Sequence, residues 1–152
     1  MFADENNAEG AIPPLERSIR RDPENAEAHH MLGLVYGRLG HFSRAEAPLR
    51  RAVELFAVQS VENESLRSSL ADARNSLGVV LMNLGRYKEA EQVYREDLQK
   101  WPDNGWSLYG LGRTLQHLGR EPEAAPILKK FDQVWAQADL PLTSSCLCLP
   151  GK

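Results

Sequence analysis

Six glycines at fixed spacing constrain this chain more than any other feature. Leu32-Gly33, Leu77-Gly78 and Leu111-Gly112 are each followed, seven residues after the glycine, by a second glycine at Gly40, Gly85 and Gly119. Five residues beyond each second glycine stands Ala45, Ala90 or Ala124, and four further on Leu49, Tyr94 or Leu128. Self-similarity at a period in the range of about 20–50 residues marks a solenoid, in which each unit cannot bury its apolar face alone and stacks on its neighbours. Each unit reads as helix, glycine turn, helix. Gly78 and Gly112 are 34 residues apart but Gly33 and Gly78 are 45 apart, so the first inter-repeat segment carries 11 extra residues. Eleven residues make about three helical turns, which lengthens the adjoining helices and keeps their faces in register. Leu55, Val58, Val61, Leu66 and Leu70 continue an apolar helical pattern through the segment, with a break expected between Ser60 and Ser65.

With 152 residues, 42% hydrophobic and 26% charged, the chain is sized for one ordinary domain. A formal charge of -3 gives no broad basic field, so neither nucleic acid nor an anionic membrane is an expected partner. No apolar run reaches the roughly 18 to 20 residues that span a bilayer, and the acidic, polar start at Asp4 and Glu5 is unlike an export signal. The expected location is cytoplasmic. Cys146 and Cys148 stand alone in the tail, so stability must come from packing.

These residues resemble the tetratricopeptide repeat over about residues 8 to 138. The first repeat carries Leu32, Gly33, Tyr36, Phe42, Ala45 and Ala52; the second keeps Leu77, Gly78, Tyr87, Ala90, Tyr94 and Pro102; the third keeps Leu108, Leu111, Gly112, Leu115, Ala124 and Leu128. Three positions depart from the pattern. Asp97 replaces an alanine, which suggests a looser or more exposed contact, and Glu121 and Phe131 replace an aromatic and an alanine, which suggests different packing on that side. The resemblance implies an all-α, right-handed solenoid of three repeats plus an N-terminal half-repeat. It forms one domain over residues 1–140, with the half-repeat at 8–25, repeats at about 26–55, 71–104 and 105–138, and a tail at 141–152. Glycine and alanine let helix axes approach closely while leucine and aromatic side chains fill the neighbouring grooves.

The N-terminus holds Ala11, Leu15, Ser18 and Pro23 in the phase of a second helix with no first helix before it. Either the chain is a piece of a longer array, or residues 11–21 form an unusual cap. An open end of this kind is a surface through which two copies can associate. Pro14, Pro48 and Pro126 are expected in or near the first turns of second helices, where a missing amide hydrogen costs little. Asp103 or Asn104 is expected to cap the helix carrying Trp106, and the run through Leu128, Phe131, Val134 and Trp135 to form a long helix that ends at Pro141.

In this family the first helices line a concave face, and the resemblance implies His30 from the first repeat, Asn75, Val79 and Met82 from the second, and Trp106, Tyr109, Arg113 and Gln116 from the third as partner-binding residues. Asn75 suits hydrogen bonding to a ligand backbone and Arg113 a carboxylate, while Trp106 and Tyr109 offer aromatic area. The competing reading packs Trp106 and Tyr109 against the last helix and leaves Arg113 solvated. Some members grip a chaperone C-terminus with lysine, asparagine and arginine. Here the corresponding positions hold His30, Leu34, Ser76, Trp106 and Gly110, which implies no such grip. The partner class is a protein or peptide segment.

Catalysis finds no support in the residue pattern. The Cys146-x-Cys148 spacing is not the usual metal-ligand spacing, His29 and His30 diverge on a helix, and no phosphate loop, nucleophile elbow or carboxylate pair occurs, so no cofactor or metal is expected and the chain is not expected to be an enzyme. Two readings remain: an interaction module, or the non-catalytic C-terminal repeat region of a larger protein, positioning a substrate or partner.

Overall fold

The computed structural model describes residues 7–137. After a helical stretch at 7–10, seven helices follow in order: α1 (Ile12–Arg21), α2 (Ala26–Arg38), α3 (Phe42–Glu62), α4 (Arg67–Asn83), α5 (Tyr87–Lys100), α6 (Gly105–His117) and α7 (Glu121–Gln137). Each packs on the next, and α4 also touches both α2 and α6, so the first helices of the three repeats lie side by side. The molecule is an all-α solenoid.

The three turns are built alike. Gly40, Gly85 and Gly119 adopt φ of 73°, 74° and 72°, a left-handed conformation that side chains bearing a Cβ resist. The residue after each glycine donates its amide five places back, His41 to Tyr36, Arg86 to Leu81 and Arg120 to Leu115, closing the preceding helix with the same pair of turn bonds. At the starts, Asn25 and Asn104 cap α2 and α6 through their side-chain oxygens, accepting from Ala28 N at 2.9 Å and Trp106 N at 3.2 Å.

The repeat glycines serve a second purpose inside the stack. Tyr94 of α5 is fully buried, with Gly78 of α4 and Gly110 of α6 both against the hydroxyl end of its ring; a Cβ added at either glycine would lie under 3.0 Å from ring atoms. Leu49 meets Gly33 and Leu128 meets Gly112 in the same relation. The principal core joins Leu32, Tyr36, Leu49, Leu77, Leu81, Tyr94, Leu111 and Leu115 across the repeats.

The eleven extra residues extend α3 to 21 residues and α4 to 17, with Asn63 extended and a short 3-10 turn at Glu64–Leu66 between them. Ala26, Ala52, Leu55, Phe56, Leu70 and Ala73 form a second core beneath this extension. The apolar stripe is only partly buried, however: Val58 and Val61 are 73% and 81% exposed, while Phe56 and Ser60 on the same end of α3 are buried. Pro48 and Pro126 are likewise deeper in their helices than expected, at the seventh residue of α3 and the sixth of α7, since both helices begin directly after the glycine turns.

Asp97 also departs from expectation. It is 0% exposed rather than loosely placed, because α6 brings donors to it: Ser107 Oγ donates at 2.6 Å and Asn104 Nδ2 at 2.7 Å, and Arg74 Nη1 stands 3.9 Å from its other oxygen. Burial raises its carboxyl above the ordinary aspartate value, while Ser107, Asn104 and Arg74 pull it back.

On the second-helix side, a four-residue ion network occurs twice. Arg86 meets Glu46 at 2.6 Å and Glu89 at 2.7 Å, and Arg50 spans the same two glutamates; Arg120 meets Glu91 at 2.8 Å and Glu123 at 2.7 Å, with Arg95 spanning those. At the first junction the signs are exchanged. Arg44 occupies the place of Glu89 and Glu123, Glu16 that of Arg50 and Arg95, and Tyr36 Oη lies between them, accepting from Arg44 at 2.9 Å and donating to Glu16 at 3.5 Å.

Candidate partner groove

The first helices of repeats two and three run side by side, and their facing side chains leave a small recess open to solvent. Asn75, Val79, Met82 and Asn83 come from α4, Trp106, Tyr109, Gly110 and Arg113 from α6, and Tyr94 reaches between the two helices from α5. The lining is mostly apolar, with amide and guanidinium groups among it, as in sites that hold one apolar side chain and orient it with a few polar contacts. Three lining residues, Asn83, Gly110 and Tyr94, stand outside the eight expected on the concave face. Gly110 lacks a side chain, and the absence lets Tyr94 through; Tyr94 belongs to a second helix and becomes floor only because both glycines admit its ring. Its hydroxyl lies 3.9 Å from Met82 Sδ, and burial holds its proton far above the usual phenol range.

The aromatic residues have two roles at once. The Trp106 ring stands edge-on to Trp135 with centroids 5.2 Å apart, and Tyr109 lies 5.2 Å from Phe131, which in turn neighbours Trp135. The last helix therefore braces both rings, and both remain half-buried. Phe131 is itself buried, filling with its ring the place of the expected alanine. Arg113 donates to Gln116 Oε1 at 2.9 Å, while its Nε is buried without a hydrogen-bond partner.

Of the eight residues expected on the concave face, Asn75, Val79, Met82, Trp106, Tyr109 and Arg113 share this recess. Gln116 lies outside it, joining Arg113 to Glu121. His30 is 7% exposed and sits in the contact between α2 and α4, 3.3 Å from Ser76 Oγ and edge-on to Phe56 of the extended α3. Burial lowers its pKa, with Glu27 and Asp72 opposing. Desolvation raises the Asp72 carboxyl, which His30 lowers and Glu27 raises further. Among the described residues no group of three or more His, Cys, Asp or Glu is placed to hold a metal, and no helix is long and apolar enough to cross a membrane. Cys146 and Cys148 lie outside the described residues.

Known proteins bear on this architecture in sequence and in structure. One tetratricopeptide-repeat family model matches residues 2–60 and 30–105, and another of the same description matches 81–133. The chain belongs to the tetratricopeptide repeat family, and its fold is that of a protein-interaction scaffold. Among solved structures, MamA MSR-1 is 25% identical with a TM-score of 0.68, covering 90% of this chain and 72% of that one. MamA AMB-1 is 28% identical with a TM-score of 0.61, over 79% and 64%. Among curated proteins, type IV pilus assembly protein PilF of Pseudomonas aeruginosa is 32% identical over 120 residues, 79% of this chain, and Superkiller protein 3 of Schizosaccharomyces pombe is 27% identical over 161 residues, 85% of this chain. The chain spans 43% of the length of the first and 11% of the second.

Proposed function

We propose that this chain holds an extended segment of another protein along its first-helix face, anchored by one side chain in the recess between α4 and α6. The recess carries this reading: Val79, Met82, Tyr94 and Tyr109 supply apolar walls, and Asn75, Asn83 and Arg113 supply polar groups beside them. Bracing of Trp106 and Tyr109 by α7 supports it further, because rings already held in place lose little freedom on binding. A second reading is favoured by the lengths of the curated relatives: these repeats position a partner for a larger protein of which they form the non-catalytic part. The N-terminal face offers a separate surface for association of two copies, since Met31 is 41% exposed there beside Val35 and Leu39.

Affinity capture from the native source tests the groove. The chain is compared with a Tyr109→Ala, Arg113→Ala variant and with an Arg95→Ala variant on the second-helix side, each confirmed helical by circular dichroism. A partner kept by the unaltered chain and by Arg95→Ala but lost by the double variant is the expected result. Equal retention by all three would place binding elsewhere.

A further inference from the structure

The charges around the recess differ from those on the second-helix side in one respect: they are sorted rather than paired. Glu27 and Asp72 stand toward the starts of α2 and α4, Glu27 raises the Asp72 carboxyl, and both act on the buried His30. Among the described residues neither has an arginine or lysine within ion-pair distance. Arg113 lies farther along the groove and has no carboxylate partner either; one nitrogen donates to the neutral Gln116, and Nε is buried and unpartnered. Four arginines on the other side, Arg50, Arg86, Arg95 and Arg120, all meet glutamates. The groove thus keeps an acidic end and a basic end, with the apolar recess between.

The repeat fixes the spacing. Asp72 and Trp106 are 34 residues apart and so lie at the same level of neighbouring helices, and Arg113 is seven residues beyond Trp106. Seven residues of helix advance about 10 Å, which an extended peptide covers in about three residues. Resting on the groove reading above, we infer that the ligand is an extended peptide whose anchor is an apolar side chain in the recess, flanked within about three residues by a lysine or arginine facing Asp72 and Glu27 and by an aspartate or glutamate facing Arg113. The recess selects for an apolar group, and the two ends select against any segment carrying one sign of charge, since a like charge at either end would be desolvated against its own kind.

Selection from a random linear-peptide phage library on the full chain tests this, with recovered peptides synthesised and their affinities measured by fluorescence polarisation. The expected peptides carry an apolar residue between opposite charges, and weaken at least about tenfold against Tyr109→Ala or Met82→Ala. The paired change Asp72→Lys with Arg113→Glu should reverse the preferred order of the two charges, and the milder pair Asp72→Asn with Arg113→Gln should remove the preference without reversing it. Peptides that lose affinity with Tyr109→Ala and Met82→Ala but ignore both charge pairs would overturn the bipolar ligand and leave the groove standing. Peptides indifferent to all of these changes, or no enrichment at all, would overturn the groove as well.

Discussion

The second-helix side of the stack and the first-helix groove are made from the same few residue types and use them in opposite ways. Along the second helices, Arg86 and Arg120 follow the turn glycines and each grips two glutamates, one in its own repeat and one in the repeat before, so the ion pairs recur with the fold and join neighbouring repeats. In the groove, among the described residues, Asp72 has no arginine or lysine and Arg113 no carboxylate within ion-pair distance, and the side chains between them leave an open recess instead of a filled core. Charge that is paired inside a repeat protein is spent on the stack; charge left apart is available to a ligand. Tyr94 belongs to both regions, being the centre of the core and the floor of the recess.

Truncating that shared residue should have the largest effect. Tyr94→Ala removes a fully buried ring lodged between two glycines that cannot move inward to fill the space, and should cost about 3–5 kcal/mol in urea unfolding. A cost near 1 kcal/mol would mean the helices close over the gap and that the two regions are not coupled through this ring. Next, Tyr109→Ala with Arg113→Ala should weaken a groove ligand by about 2 kcal/mol or more in a titration, whereas Arg86→Ala with Arg120→Ala should leave that affinity unchanged. Parallel losses from both pairs would erase the distinction between the regions.

Asp97 yields a pH-dependent test. Its folded carboxyl lies above the unfolded value near 3.8, so the folded state binds the proton more tightly; the contribution is fully present below that value and is lost as pH rises through the folded value. The stability of the native chain minus that of Asp97→Asn should therefore fall as pH rises from about 4, as followed by thermal unfolding across acid to neutral pH. A difference that grows over this range would show that Arg74, Ser107 and Asn104 outweigh burial. The smallest effect is expected at the ion networks. Replacing Arg120 alone should lower thermal stability slightly at low salt and little in concentrated sodium chloride, since Arg120 and Glu123 are open to solvent and screened, with only Glu91 largely covered. A loss that persists in salt would make the network part of the packed structure.

Much of this was legible because glycine leaves a periodic mark. The close approaches at Gly33, Gly78 and Gly112 and the left-handed turns at Gly40, Gly85 and Gly119 each require that residue, so sequence spacing reports helix, turn and stacking order directly. Six groove residues follow from the same phase, since equivalent positions on α4 and α6 face one another. His30 shares that phase but turns into a contact with Phe56, which the extension of α3 brings within reach, and no local pattern in α2 signals a neighbour 26 residues away. Asp97 was hidden for a related reason. Its burial depends on Ser107 and Asn104 in the next repeat, and a lone aspartate at a position that favours alanine looks like an exposed contact until its donors are seen. The ion networks lie between the two cases: Glu91 with Arg95 is an i to i+4 pair readable on one helix, while Arg86 with Glu46 joins residues 40 apart.

Amide chemical-shift mapping of the full chain with a library-selected peptide tests the central claim most directly. The account predicts shifts concentrated at Asn75, Val79, Met82, Tyr109 and Arg113, with Arg86, Arg95 and Arg120 unmoved. Shifts gathered along those three arginines, with the recess silent, would contradict it.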